Sequence, residues 1–171
     1  RFQSAFKVHE TFETPYAYTM PKNKDLEKFR PIVSYCTHPL RLTLQRASRA
    51  MRMLLKSVAP EQMTLNTPSE FGPRVYELIS NIKEQGFTGV HMVAGDIKNM
   101  YTELPHNAIL DAVDWLMAQC KEKRFHGMVS VPKYGRHGTH TGRNANKQLW
   151  VTFSFDDLRE IIRFDLDNAI F

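Results

Sequence analysis

The chain has 171 residues, with 23 Lys and Arg against 18 Asp and Glu, a net charge of +5 and a sequence pI of about 9.3. That length suffices for one sizeable core, and the apolar content is that of a globular chain rather than a disordered one. The two cysteines, Cys36 and Cys120, exclude a disulfide framework and a zinc spacing, and no stretch approaches the roughly 20 apolar residues of a membrane-spanning helix.

Both thiols read as small apolar residues in a reducing compartment. Mild basicity suits a polyanionic partner without requiring one. No signal peptide is visible, and the chain starts at Arg1 and stops at Phe171 without a helix cap, so a piece of a longer protein is expected.

Residues 1–20 mix Phe2, Phe6, Phe12, Tyr16 and Tyr18 with polar residues and Pro15, which predicts an extended lead-in. Residues 21–35 read as a hairpin, with its turn at Asn23-Lys24-Asp25 and a return strand from Phe29 to Ser34. Lys22, Lys24, Lys28 and Arg30 place four cations near that turn, which suits either a phosphate site or a solvated charged turn.

Residues 39–58 predict an amphipathic helix with Leu40, Leu44, Ala47, Met51, Leu54, Leu55 and Val58 inward. Arg41, Arg46, Arg49, Arg52 and Lys56 lie mostly off that face with no acid among them, a pattern able to follow a nucleic-acid backbone. After a Pro-bounded linker, residues 69–85 predict a second helix. Its stripe of Phe71, Val75, Leu78, Ile79 and Ile82 is expected in the core, and Gly86 is a C-cap.

Val90, Met92, Val93 and Ala94 predict a buried strand closed by Asp96, with Tyr101 five residues on. A carboxylate at a strand end can hold Mg²⁺ and the aromatic can lie against a sugar, while Asp is equally a favoured helix N-cap. Pro105 opens a third helix to Lys121, with Ala108, Ile109, Ala112, Val113, Leu116, Met117 and Cys120 inward and Asp111 and Asp114 solvated.

Residues 128–132 and 149–155 read as strands. The Gly-rich loop between them carries Lys133, Arg136, Arg143 and Lys147 without an acid, and Tyr134 is available to stack on a base. His137 and His140 lack further ligands at metal spacing. Ser154-Phe155-Asp156-Asp157 predicts a capped last helix ending at Asn168.

The stretch DIKNMYTELP, residues 96–105, resembles the first catalytic palm motif of reverse transcriptases. PKNKDLEKFRPIVS, residues 21–34, resembles their fingers signature, and Tyr-Thr-x-Leu-Pro is similar to the Penelope-like and telomerase-related branch. The resemblance implies an α/β fold of interleaved fingers (residues 1–89 with connecting helices) and partial palm (residues 90–171), with antiparallel palm strands backed by helices. It implies RNA-directed DNA polymerisation, with Asp96 and the Ile97 carbonyl on Mg²⁺ or Mn²⁺. Lys22, Lys24 and Arg30 would bind nucleotide phosphates, and Tyr101 would exclude a ribose 2′-OH. An RNA template, a DNA primer, deoxynucleotide triphosphates and the remainder of the polymerase chain are the implied partners, with no membrane, inside the cell and in the nucleus.

A two-metal phosphoryl transfer needs carboxylates from a second place in the palm. No Tyr-x-Asp-Asp-like hairpin and no Gln-x-x-x-Gly-like motif occurs, and Asp156-Asp157 falls at a helix start. The chain alone is therefore expected to be inactive. Three other readings compete. One is a catalytically silent nucleic-acid-binding module, and one is an interaction domain whose motifs are coincidental. The third, an RNA-templated RNA polymerase, is disfavoured by the bulk of Tyr101.

Overall fold

The computed structural model describes residues 16–23, 25–36, 38–60, 67–89, 91, 93–97, 103–135 and 138–168. The first strand, β1 (Tyr16–Lys22), pairs antiparallel with β2 (Asp25–Ser34). Tyr18 faces Ile32 and Met20 faces Arg30, and the register shifts between Pro21 and Lys22 beside the turn. Pro21 and Pro31 fit because this ribbon has two edges, where a missing N–H breaks no interior ladder. Lys24, at the predicted turn, lies outside the described residues.

Helix α1 (Arg41–Val58) follows. Its buried face is Thr43, Ala47, Ala50 and Leu54, flanked by the half-buried Met51, Met53, Leu55 and Val58. The expected stripe is thus rotated toward small residues, which let α1 approach its neighbours closely. A short 3₁₀ turn, Pro68–Glu70, leads into α2 (Phe71–Glu84). Gly86 at φ +80° ends α2 in a Schellman arrangement: its N–H donates to the Lys83 carbonyl and that of Phe87 to the Ile82 carbonyl.

Helix α3 (His106–Glu122) starts after Pro105 as read from the sequence. Then come β3 (Met128–Pro132), the two-residue β4 (His140–Thr141), β5 (Trp150–Ser154) and α4 (Phe155–Asn168). The strands form one antiparallel sheet in the order β4-β3-β5. Reciprocal bonds cap α4: the Ser154 N–H donates to Asp157 Oδ2 at 2.9 Å, and the Asp157 N–H to Ser154 Oγ at 3.0 Å.

The core joins Ala47, Ala50 and Leu54 of α1 to Val113, Leu116, Met117 and Cys120 of α3. Val129 and Val131 of β3, Phe153 of β5, and Phe155 and Leu158 of α4 complete it. β3 is buried on both sides. Its valines face the helices, and Ser130 between them is covered by the loop after β4. Lys123 Nζ donates to the Ser57 and Val58 carbonyls at 3.0 Å, tying the end of α3 to the C-terminus of α1, where a cation is favoured.

Two further expectations are corrected. The stripe of α2 is not core: Phe71 is 56% exposed, and no residue of α2 is buried. Helical periodicity marks a face but does not supply something to cover it. The predicted strand before Asp96 is absent from its described residues, which are irregular, with Val93 86% exposed. An apolar run becomes a strand only where a partner takes up its backbone N–H and C=O groups, and none of the described strands pairs with it. Asp114 is exposed as expected, and it also accepts two hydrogen bonds from Arg159 of α4, at 2.7 and 3.0 Å. Val90 and Met92 lie outside the described residues.

The chain divides into two compact units, residues 1–60 with 102–171, and residues 61–101. Among the described residues no helix is long and apolar enough to cross a membrane.

Candidate nucleic-acid interface

The polar side of α1 forms the floor of an open cleft of about 1340 Å³ within the larger unit. Arg41, Arg46, Arg49, Arg52 and Lys56 line it from α1, and Lys133 lines it from the end of β3. Gly135, Gly138 and Thr139 form one wall, and Tyr35, Cys36 and Asp165 contribute elsewhere. Spacings of three and four residues put Gln45, Arg49, Arg52 and Lys56 along one side of the helix. Six cations against the single acid Asp165 make the cleft strongly positive.

The cations are not equivalent. Arg49 donates Nη1 to the Gly135 carbonyl at 2.6 Å and Nη2 to the Pro132 carbonyl at 3.2 Å. Arg46 reaches the Lys133 carbonyl at 3.4 Å, and Lys133 Nζ reaches the Lys147 carbonyl at 2.6 Å. Arg41 donates to the Cys36 carbonyl at 2.9 Å. Four of the six positive groups therefore fasten backbone around the cleft. Burial, then the positive charge of Arg49, pull the pKa of Arg46 below its usual value, partly offset by Tyr134. Like charges held together this way make an anion in the cleft favourable.

Asp165 is pushed up by burial, against a smaller downward pull from His38. No arginine pairs with it among the described residues. Burial, then Asp165, raise the Tyr35 hydroxyl. Gly138, at φ +97°, packs so close to Trp150 that a Cβ there would lie 3.2 Å from the indole, and His140 meets the same indole edge-on at 4.8 Å. The loop wall is thus anchored by an aromatic pair.

The described expected site residues lie in four places. Arg41, Arg46, Arg49, Arg52 and Lys133 come together in the cleft, while Arg143 and Lys147 lie exposed on the loop after β4. Lys22 and Arg30 lie on the β1–β2 ribbon, with Arg30 opposite Met20, two residues before Lys22. Asp96 and Ile97 lie in the smaller unit, both exposed, Ile97 at 68%. Lys24, Tyr101 and Arg136 fall outside the described residues. Among the described residues no group of three or more His, Cys, Asp or Glu is placed to hold a metal ion. Asp96 and the Ile97 carbonyl are nonetheless hard oxygen donors, and Mg²⁺ accepts one or two protein carboxylates beside water and phosphate.

Sequence reasoning missed Tyr35, Cys36, Thr139 and Asp165 as lining residues. Cys36 is exposed rather than a core residue, whereas Cys120 is buried, and its thiol is raised by that burial. A signal for Asp165 was present: it stands seven residues after the buried Leu158, two turns along α4.

Comparison with protein-family models, with curated proteins and with solved structures found no match for this chain.

Proposed function

We propose that this chain is the fingers and partial palm of a reverse transcriptase, an RNA-directed DNA polymerase. The observation that carries the reading is the order and spacing of two signature stretches. Residues 21–34 hold Pro-Lys and Arg-Pro-Ile, and residues 96–105 hold an Asp followed by a Tyr five positions on. The mixed architecture of helices with two small antiparallel sheets agrees with it. So does the ribbon that the first stretch forms, with Lys22 and Arg30 near its turn.

In this reading Lys22, Lys24 and Arg30 bind the triphosphate, Arg30 through its planar fork. Asp96 and the Ile97 carbonyl would hold Mg²⁺ or Mn²⁺, which when bound supplies positive charge against the phosphates. Tyr101 excludes a sugar bearing a 2′-OH. An RNA template, a DNA primer and deoxynucleotide triphosphates are the partners, and the remaining carboxylates come from the rest of the polymerase.

The test is primer extension on an RNA template by the full-length protein. Asp96→Asn abolishes extension while leaving the fold intact, and Tyr101→Ala raises ribonucleotide incorporation. Retained extension in Asp96→Asn refutes the catalytic role. A second reading, a silent nucleic-acid-binding module, is favoured by one feature: the basic cleft is built without Asp96. It predicts no extension by the full-length protein and salt-dependent binding all the same.

A further inference from the structure

The cleft deepens that reading and rests on it for the choice of nucleic acid over other polyanions. Its length decides between a nucleotide and a strand. From Arg41 to Lys56 the cationic side of α1 runs roughly 22 Å at 1.5 Å per residue. The three directly linked phosphates of a triphosphate are far shorter than that row, whereas successive phosphates of an extended strand can follow it.

The hydrogen bonds decide which side chains meet them. Arg49 has both terminal nitrogens on carbonyls of residues 132 and 135, and Arg41, Arg46 and Lys133 also donate to backbone. Arg52 and Lys56 are exposed on the cleft floor, one turn apart, and no described residue takes their hydrogen bonds. Backbone carbonyls already orient the side chains of the first group and take part of their donor capacity. Among the described residues, Arg52 and Lys56 have none of their donors taken.

We propose that a single nucleic-acid strand lies along α1, with Arg52 and Lys56 as its direct phosphate ligands and Arg49 as a positioning residue that holds the Pro132–Gly135 turn as the cleft wall. Gln45 and Ser48, on the same floor, offer neutral donors to sugar or phosphate. Asp165 opposes the anion from α4 and bounds the positive surface.

The test is anisotropy of a labelled single-stranded RNA oligonucleotide titrated with the chain over a salt series. Each phosphate ligand contributes about 0.7 to the slope of log K against log salt for a single strand. Arg52→Ala with Lys56→Ala therefore lowers the slope by about 1.4, which is about 25-fold in affinity at 0.1 M salt and vanishes toward 1 M. Both side chains are exposed, so the fold survives, as circular dichroism checks.

Arg49→Lys keeps the charge but cannot fork onto two carbonyls. It weakens binding with the slope unchanged, and amide exchange over residues 133–135 speeds up. An unchanged slope in the double variant overturns the phosphate assignment and leaves the polymerase reading standing. Unchanged exchange over residues 133–135 in Arg49→Lys overturns the positioning role. No binding by the wild-type chain at low salt defeats both the assignment and the nucleic-acid reading. Equal capture of a poly-glutamate of the same charge assigns the cleft to acidic protein and overturns the choice of occupant.

Discussion

Replacing Ser130 by Ala should loosen the loop after β4, through one oxygen atom. Ser130 is wholly buried at the centre of β3. Its Oγ lies 2.8 Å from the Gly142 carbonyl, which accepts its proton, and 2.8 Å from the Asn144 N–H, which donates to it. Thr152 Oγ1 on β5 lies at the same distance of 2.8 Å and fills the second lone pair. A hydroxyl has one proton and two lone pairs, so all its capacity is used. Each such bond contributes about 0.5–1.5 kcal/mol net. The Thr152 hydroxyl can rotate to another acceptor, while the Asn144 N–H and Gly142 carbonyl cannot, so Ser130→Ala should cost about 1.5–3 kcal/mol.

Urea unfolding of the larger unit measures that cost, and hydrogen exchange locates it. The Asn144 amide should lose protection while Val129 and Val131 keep theirs. Ser130→Cys retains a weak donor and the volume, and should fall between wild type and Ala. A loss below about 0.5 kcal/mol with Asn144 still protected would refute the hydroxyl as the loop's anchor.

Leu54→Ala, at a wholly buried position of α1, should cost about 2–5 kcal/mol by urea midpoint. Asp157→Ala removes half of the capping box of α4 and should cost about 1 kcal/mol, leaving the Asn144 amide protected. Asp165 is raised by burial, so the folded chain binds its proton more tightly than the unfolded chain does. Stability should therefore fall as pH rises from the usual carboxylate range through the raised value, and Asp165→Asn should remove that decline. Asp114 acts oppositely. The hydrogen bond from Arg159 lowers it, so its contribution is present above the unfolded value and lost as pH falls through the folded one. A pH scan of Asp114→Asn should lack that acid loss.

Elements whose cause is local were legible. Pro105 before α3, the Ser154–Asp157 box before α4 and Gly86 after α2 each rest on a bond within a few residues, and all three sit where they were read. β3 runs over residues 128–132 as expected. What failed depends on a partner. The moment of α2 was legible, but burial was not, because Phe71, Leu78 and Ile79 need a surface that the helix does not encode. Val93 failed for the same reason one dimension down, since a strand needs another strand. On α1 the large aliphatics were chosen over Thr43 and Ala50, although close approach to neighbouring elements selects the small residues.

The cleft shows the same limit acting on function. Counting charges on a helical wheel found every cation of α1 and rated them alike. Their roles separate only after β3 brings the carbonyls of Pro132, Lys133 and Gly135 against residues more than eighty positions earlier in the chain. An arginine beside an open carbonyl becomes a fastener, and one facing solvent keeps its donors for a ligand. Arg49 and Arg52 are three residues apart on one helix and differ in nothing but what the fold places opposite them. If the salt slope falls for Arg52→Ala and not for Arg49→Ala, that difference in surroundings, rather than residue type, is what divides binding from positioning along α1.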